Sequence, residues 1–391
     1  MSDKITISWE DISSPKVDEK IRIDNAMLRA AQHQQQVLRD YKSAPVNSDN
    51  IFYKAVVYLA LFGLVFGFVG WMLSEIPAQI EKQAREHAEV KAVERLKSQI
   101  QSGEIHAPPS DIEAHKMILN NMSQDEDFTT ISVFCWLIWY MLICSFIGFG
   151  LSSAEGFMEH NYSRAFIRGL IAVIIGVVIG PFAMIVAELL YHKLGGGNIE
   201  TNFVVQMFAR SLAWIFIGCF VAITPGIVMK NGKKLGLGVA GGAIGGLLGG
   251  LLFDPISIVT QTDILSRLVG IIGFGVLTGL AMGLLEEAAK QGWLKVVAGV
   301  IAGKQFIIYK NPTVIGSSPK CEIYLFKDAA VMPQHAAIRQ QDTSFIIEQI
   351  NPTHPVFING RPTQRHTLQN GDAINIGKSQ FVFGTKEIKS N

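Results

Sequence analysis

The chain has 391 residues, 49% of them hydrophobic and 17% charged, with a formal net charge of +1. A mean hydropathy of +0.29 is too apolar for a soluble chain of this length and points to membrane spans joined to a soluble part. The near-zero charge gives no case for a nucleic-acid partner. Cys135, Cys144, Cys219 and Cys321 form no CxxC or Cys/His spacing, so no metal, cofactor or disulfide framework is expected.

Residues 1–50 are polar. DNAMLRAAQHQQQVLRDYKS predicts a cytoplasmic helical segment from Asn25 after an Asp24 cap. The first apolar run begins at Ala55, too late for a cleaved secretory signal, and reads as a retained span. Six runs lack Asp, Glu, Lys and Arg: Ala55–Ser74, Thr130–Ala154, Gly169–Ala187, Ser211–Met229, Leu235–Phe253 and Leu268–Leu285. Each is close to the ~20 residues that a bilayer-crossing helix needs. The predicted organisation is a first transmembrane helix in 51–74, an extracytoplasmic helical segment in 75–129, a Gly-rich five-helix membrane bundle in 130–288 and a soluble domain in 293–391.

Within 75–129, IEKQAREHAEVKAVERLKSQIQ (80–101) reads as a helix ended by Pro108-Pro109. Ile80, Ala84, Val90, Val93, Leu96 and Ile100 form its apolar stripe. That stripe is a face for a neighbouring subunit or the membrane surface, or the packed side of a solvated helix. Arg164 and Arg168, and Lys230, Lys233 and Lys234, make two basic loops opposite base-poor ones. The excess of basic residues places these loops and both termini in the cytoplasm of a multi-pass plasma (inner) membrane protein.

IGFGLSSAEG (147–156), IGCFVAITPG (217–226) and IGFGVLTGLA (272–281) resemble one another, which suggests a duplicated two-helix hairpin followed by a half unit. Glu188, Arg210, Asp254 and Arg267 lie at the outer ends of the spans. They read as boundary ion pairs, one acid and one base per hairpin, or as a polar gate. Gly238, Gly242, Gly246 and Gly250 fall on one face of the fifth span, with Gly241, Gly245 and Gly249 beside them. Gly275, Gly279 and Gly283 repeat the spacing in the sixth. Such rows let backbones approach closely, within or between subunits of a homo-oligomer or larger membrane complex, or around a conduction path.

From Trp293, short β-rich runs alternate with Gly, Pro and Asn turns, the pattern of a β-sandwich or barrel. TVIGSSPKCEIYL (313–325), VMPQHAAI (331–338), VFINGRPT (356–363) and LQNGDAINIG (368–377) resemble the forkhead-associated (FHA) domain. The resemblance implies an eleven-strand sandwich whose loops at one end bind phosphothreonine peptides. It assigns loop-shaping roles to Gly316, His335 and Gly360, and a peptide contact to Asn359. The family's phosphate-contacting Arg and Ser are replaced here by Ser317 and Met332. Ser318, Lys320 and Arg361 are the nearby polar groups, and Lys320 or Arg361 is the candidate substitute cation. GDAINIGKS (371–379) imitates a nucleotide-binding loop, but a strand pattern follows it where a helix is needed.

No catalytic constellation is present, so a non-enzymatic role is expected. The fold class is a polytopic α-helical membrane unit followed by an all-β FHA-type sandwich. The expected function is a membrane-embedded scaffold or signalling protein that docks a cytoplasmic protein partner without strong phosphothreonine dependence. An oligomeric channel or transporter regulated by the sandwich is the alternative.

Overall fold

The computed structural model describes residues 17–22, 24–25, 28, 32 and 51–386, excluding 107, 109, 195–201, 261, 299–300, 327 and 351–353. Residues 17–22 and 24–25 are helical, so the N-terminal helix is under way before Asp24 and does not start there. The rest of the 1–50 reading lies outside the described residues. The chain divides into two compact units, 55–289 and one that contains 290–391.

The first unit is helical: α1 (Ala55–Gln101), α2 (Asp111–Ser123), α3 (Glu126–Met158), α4 (Tyr162–Lys193), α5 (Phe203–Ala222), the short α6 (Thr224–Val228), α7 (Gly232–Thr260) and α8 (Asp263–Ala289). Among the described residues, six helices, with α5 and α6 counted together, are long and apolar enough to cross a membrane.

Two expectations for α1 and α2 change. The first span and the 80–101 helix are one continuous 47-residue helix that passes through Pro77. The stripe is also rephased, with Ile80 and Val90 exposed while Ala88, Ala92 and Leu96 are buried. Ala88 and Ala92 pack with Met122 of α2, next to Ile118 and Phe128. Small side chains on α1 admit a second helix that larger ones would hold off. Helix α2 itself was not foreseen. It opens on a capping arrangement: Ser110 accepts from the Glu113 N–H, and Asp111 and Glu113 sit in the first turn. Asp125 caps α3 and accepts from Lys91 Nζ at 2.8 Å. That bond holds its carboxyl below the usual carboxylate range.

The helices contact one another in the cyclic order α1, α3, α4, α5, α7, α8 and back to α1. Three antiparallel pairs result: α3 with α4, α5 with α7, and α8 with α1. The first two close with the same turn. The Asn161 N–H donates to the Gly156 carbonyl and the Asn231 N–H to the Gly226 carbonyl, each at 2.9 Å. His160 and Lys230 both take left-handed φ values, 51° and 50°. Asn161 and Asn231 then cap the returning helix, each at 3.2 Å from the backbone N–H three residues on. The expected half unit is therefore not left single: α8 pairs with α1, from the other end of the unit.

At these turns the helices are tied by charge. Lys234, almost fully buried, places Nζ 3.1 Å from Glu155 and 3.8 Å from Glu286, and Arg168 lies 3.3 Å from Glu155. Four helices, α3, α4, α7 and α8, thus share one ion cluster that no local spacing announces.

The second unit is a sandwich of eleven strands among the described residues: β1 (Gly292–Ala298), β2 (Gln305–Ile307), β3 (Thr313–Gly316), β4 (Ile323–Tyr324), β5 (Ala336–Gln341), β6 (Ser344–Gln349), β7 (Val356–Ile358), β8 (Arg361–Thr363), β9 (Arg365–Leu368), β10 (Ala373–Ile376) and β11 (Ser379–Thr385). One sheet runs β2-β1-β11-β10-β7-β8 and the other β4-β3-β5-β6-β9. β1 alternates buried and half-buried residues, as a strand with one core face should. Leu294, Ile315, Ile338, Ile374 and Phe381 meet between the sheets.

The strand directions fix the two ends of the sandwich. β1 begins opposite the end of β11 (Gly292 with Thr385), and β7 lies antiparallel to β10 (Ile374 with Ile358). The entry end therefore holds Gly292 and the connections at 342–343, 359–360 and 369–372. The far end holds those at 317–322, 325–335, 354–355 and 377–378.

Candidate functional site

The far end of the sandwich gathers Gly316, Ser317, Ser318, Lys320, Met332 and His335. Gly316 is required there by packing, since a Cβ on it would collide with the Pro333 carbonyl. The loop 317–322 is laced to 331–335 by backbone. The Ser317 N–H donates to the Met332 carbonyl at 2.9 Å, the Ser318 N–H to the Pro333 carbonyl at 3.2 Å, and the His335 N–H to the Ile315 carbonyl at 2.9 Å. Cys321 Sγ donates to the same Pro333 carbonyl at 3.0 Å. The amides of Ser317 and Ser318, the backbone donors nearest this end, are thus already spent inside the protein.

His335 is buried, and its Nδ1 accepts the Met332 N–H at 3.3 Å. The proton of the neutral ring then belongs on Nε2. Burial pushes the His335 imidazole below its ordinary value, and the nearby His354 ring adds to this. The Pro355 carbonyl and Asp328 act in the opposite sense without reversing it. The Lys378 N–H closes the 377–378 turn onto Asp328.

Among the described residues, this end offers a ligand Met332, Ser317 Oγ and the exposed Lys320 and Lys378, with half-buried His354 beside them. Ser318 Oγ accepts from the Lys320 N–H at 3.3 Å. No arginine occurs in 317–335, 350–355 or 377–378. The end can form hydrogen bonds and apolar contacts, but it lacks a bidentate anion clamp.

Asn359, Gly360 and Arg361 are not part of this face. They lie at the entry end, a sandwich length away, and the expectation of a single cluster is corrected. Asn359 takes a left-handed φ of 51° in the β7–β8 turn. Its Nδ2 donates to Asp372 Oδ1 at 2.8 Å, and its Oδ1 accepts the Ala373 N–H at 3.0 Å. Asp372 Oδ2 also accepts the Gln369 N–H at 2.8 Å and faces His366 Nε2 at 3.1 Å. Asn359 is a turn fastener with both amide atoms in use. Arg361, at the wrong end, cannot replace the missing guanidinium. The far-end residue that sequence reasoning missed is His354, whose ring lies 6.2 Å from that of His335. No regular element marks its position in sequence.

In the helical unit the glycine rows serve contacts within the chain. Cβ atoms on Gly238, Gly242 and Gly246 would strike backbone carbonyls of α5, and one on Gly250 would meet Ser211. The neighbouring row faces another helix: Gly241, Gly245 and Gly249 lie on Met282, Thr278 and Phe274 of α8. Gly275, Gly279 and Gly283 lie on Gly63, Leu59 and Val56 of α1.

The boundary charges are repartnered. Arg210 pairs with Asp254 at 2.8 Å, and Arg267 with Glu75, also at 2.8 Å. Glu188 accepts from the Tyr140 hydroxyl at 3.2 Å and lies 3.6 Å from His192. Each antiparallel pair therefore carries its own polar contact: α3–α4 through Tyr140 and Glu188, α5–α7 through Arg210 and Asp254, and α8–α1 through Arg267 and Glu75. The expected Glu188–Arg210 and Asp254–Arg267 couples join neighbours in sequence. The observed ones join the two helices of each pair.

The architecture is that of a β-sandwich interaction domain carried by an apolar helical unit. A family model for the FHA domain matches residues 313–377. Among curated relatives, the oxoglutarate dehydrogenase inhibitor of Corynebacterium diphtheriae is 34% identical over 24% of this chain and 66% of its own length. That of Corynebacterium efficiens is 32% identical over 26% of this chain and 72% of its own. The glycogen accumulation regulator GarA of Mycobacterium tuberculosis is 32% identical over 24% and 56%. The chain thus spans about two thirds of the length of the first of these relatives.

Solved FHA domains match the same part. One comes from a structural and functional analysis of phosphothreonine-dependent FHA interactions (22% identity, 25% of this chain and 100% of that one, TM-score 0.24). Another is the FhaA FHA domain complexed with the intracellular domain of Rv3910 (23% identity, 24% and 98%, TM-score 0.22). Through its C-terminal sandwich this chain belongs to the FHA-domain family.

Proposed function

We propose that the protein is a membrane-embedded scaffold or signalling component. Its FHA domain docks a cytoplasmic protein partner at the far-end loops without needing a phosphothreonine. The observation that carries this reading is the state of those loops. Ser317 and Met332 stand where charge-assisted donors would be needed, and the adjacent amides are internally bonded. Charge-assisted bonds contribute about 1.5–3 kcal/mol each, so two missing ones weaken a phosphopeptide about a hundredfold or more. Met332 is a flexible apolar side chain suited to a protein contact. The relatives named as an inhibitor and as a regulator fit a non-enzymatic docking role. In this reading the six apolar helices lie in the plasma (inner) membrane with both termini cytoplasmic.

The packed interior of the helical unit, where Ile147, Leu151, Ile271 and Phe274 are fully buried, favours a scaffold over a channel through the middle of one chain.

The test uses the full chain in lipid nanodiscs, titrated with a phosphothreonine peptide library and its unphosphorylated counterpart. The expected result is no preference for the phosphorylated set. A combined Ser317→Arg and Met332→Ser variant should gain one. Selective binding of phosphorylated peptides by the parent chain would defeat the proposal.

A further inference from the structure

At the end of the helical bundle away from Ala289, the three helix pairs surround a cavity of about 810 Å³. This is within the range of small-molecule sites, about 300–1,000 Å³. Its wall balances charge, with Arg85, Arg210 and Arg267 against Glu188, Asp254 and Asp263. A wall of this kind gives no net attraction to a simple anion or a simple cation. Buried groups of opposite character in this wall lack hydrogen-bond partners, among them a donor on Trp139 and an acceptor on Asp254. Trp139 is 7% exposed, and its Nε1–H, a donor, has no partner among the described residues. Asp254 pairs through Oδ1 with Arg210, while its buried Oδ2, an acceptor, has none among the described residues.

The remaining groups grade from fixed to available. Arg210 is held by Asp254, by the Tyr191 hydroxyl at 3.3 Å and by the Phe253 ring at 4.8 Å. Glu188 has a side chain 42% exposed and is the more accessible acid of the pair-bridging contacts. Trp214 adds an apolar wall and packs edge-on to Phe274. A buried donor and a buried acceptor left unpaired are costly, and a ligand that satisfies both is favoured by the same amount.

We propose that this cavity binds a small zwitterion, an ammonium and an oxyanion carried on one molecule with an apolar body. The ammonium is taken by Asp254 Oδ2 and Glu188, the oxyanion by Trp139 Nε1–H beside the Arg210 guanidinium, and the body by Trp214 and Phe253. The same chemistry is offered by a free amino acid and by a zwitterionic lipid headgroup. The proposal does not depend on the docking role of the FHA domain.

The experiment uses the full chain in nanodiscs of phosphatidylglycerol, which contain no zwitterionic lipid. Probes are L-leucine, L-phenylalanine and glycerophosphoethanolamine, with isoamylamine, phenethylamine and hydrocinnamate as single-charge counterparts. Binding is read by calorimetry, and tryptophan fluorescence reports the site. At least one zwitterion is expected to bind about tenfold tighter than the single-charge molecules. Glu188→Gln and Trp139→Phe should each weaken it about tenfold at an unchanged unfolding midpoint. Binding of leucine or phenylalanine identifies an amino-acid site, and binding of glycerophosphoethanolamine alone identifies a headgroup site. The proposal is overturned if no zwitterion binds in the millimolar range or if a single-charge molecule binds equally well. It is also overturned if a variant that keeps its unfolding midpoint binds like the parent.

Discussion

At the scale of single residues, the far end of the sandwich turns on His335. Its neutral Nδ1 accepts the Met332 N–H, so a proton on that nitrogen breaks the contact that shapes the loop. The folded chain binds this proton less readily than the unfolded chain does, because burial lowers the imidazole below its ordinary value of 6.5. Stability from this group is therefore complete above pH 6.5 and is lost as pH falls from there toward the lowered folded value. Thermal unfolding of the sandwich followed between pH 7.5 and 5 should show this decline. His335→Gln should lower the midpoint at pH 7.5 and flatten the dependence. A parent profile that is flat through this range would contradict the assignment.

Asn359 makes the opposite case, a residue with a peptide-contact expectation and a structural role. Asn359→Ala removes two hydrogen bonds and places an alanine at positive φ, at a cost of about 1–3 kcal/mol. Partner affinity at the far end should not change, and pull-down at a temperature where the variant stays folded checks this.

At the scale of elements, α7 shows why the glycine rows exist. It lies between α5 and α8 and gives each of them one row, so both neighbours touch its backbone. Gly242→Leu puts a branched side chain where the Gly218 carbonyl stands. It should destabilise the unit by about 1–3 kcal/mol or more, whereas Leu248→Ala, exposed on the same helix, should cost about 0.5 kcal/mol or less. Unfolding midpoints in detergent distinguish them, and equal midpoints would mean that the row is not a packing face. The ion cluster at Lys234 works on the same scale. It joins α3, α4, α7 and α8, and each member keeps the others from being unpaired in an apolar interior.

At the scale of the whole molecule, the chain joins six helices fit for a bilayer to a sandwich with two chemically different ends. The proposed orientation puts residue 102 outside and residue 344 in the cytoplasm. In a cysteine-free background, Ser102→Cys should react with an impermeant maleimide from outside whole cells. Ser344→Cys should react only after permeabilisation. Labelling of Ser344→Cys in intact cells would reverse the orientation.

The sequence by itself determined the features that are local or periodic. Charge-free runs announce six long apolar helices because backbone groups without water must be bonded within the segment. Four ordered blocks announce the FHA sandwich, and small residues at four-residue spacing announce close helix faces. The turns after Gly156 and Gly226 share a local pattern that the repeat already implied. Tertiary structure alone decided what depends on distant segments meeting. It paired α8 with α1, gave Arg210 to Asp254 and Arg267 to Glu75, and buried Lys234 between Glu155 and Glu286. It also set Asn359 and Met332 at opposite ends of one domain. An Asn-Gly turn has the same local appearance at either end of a sandwich. Which end it occupies follows from the number and direction of strands between it and the other loops, and this is fixed only when the two sheets close over a common core.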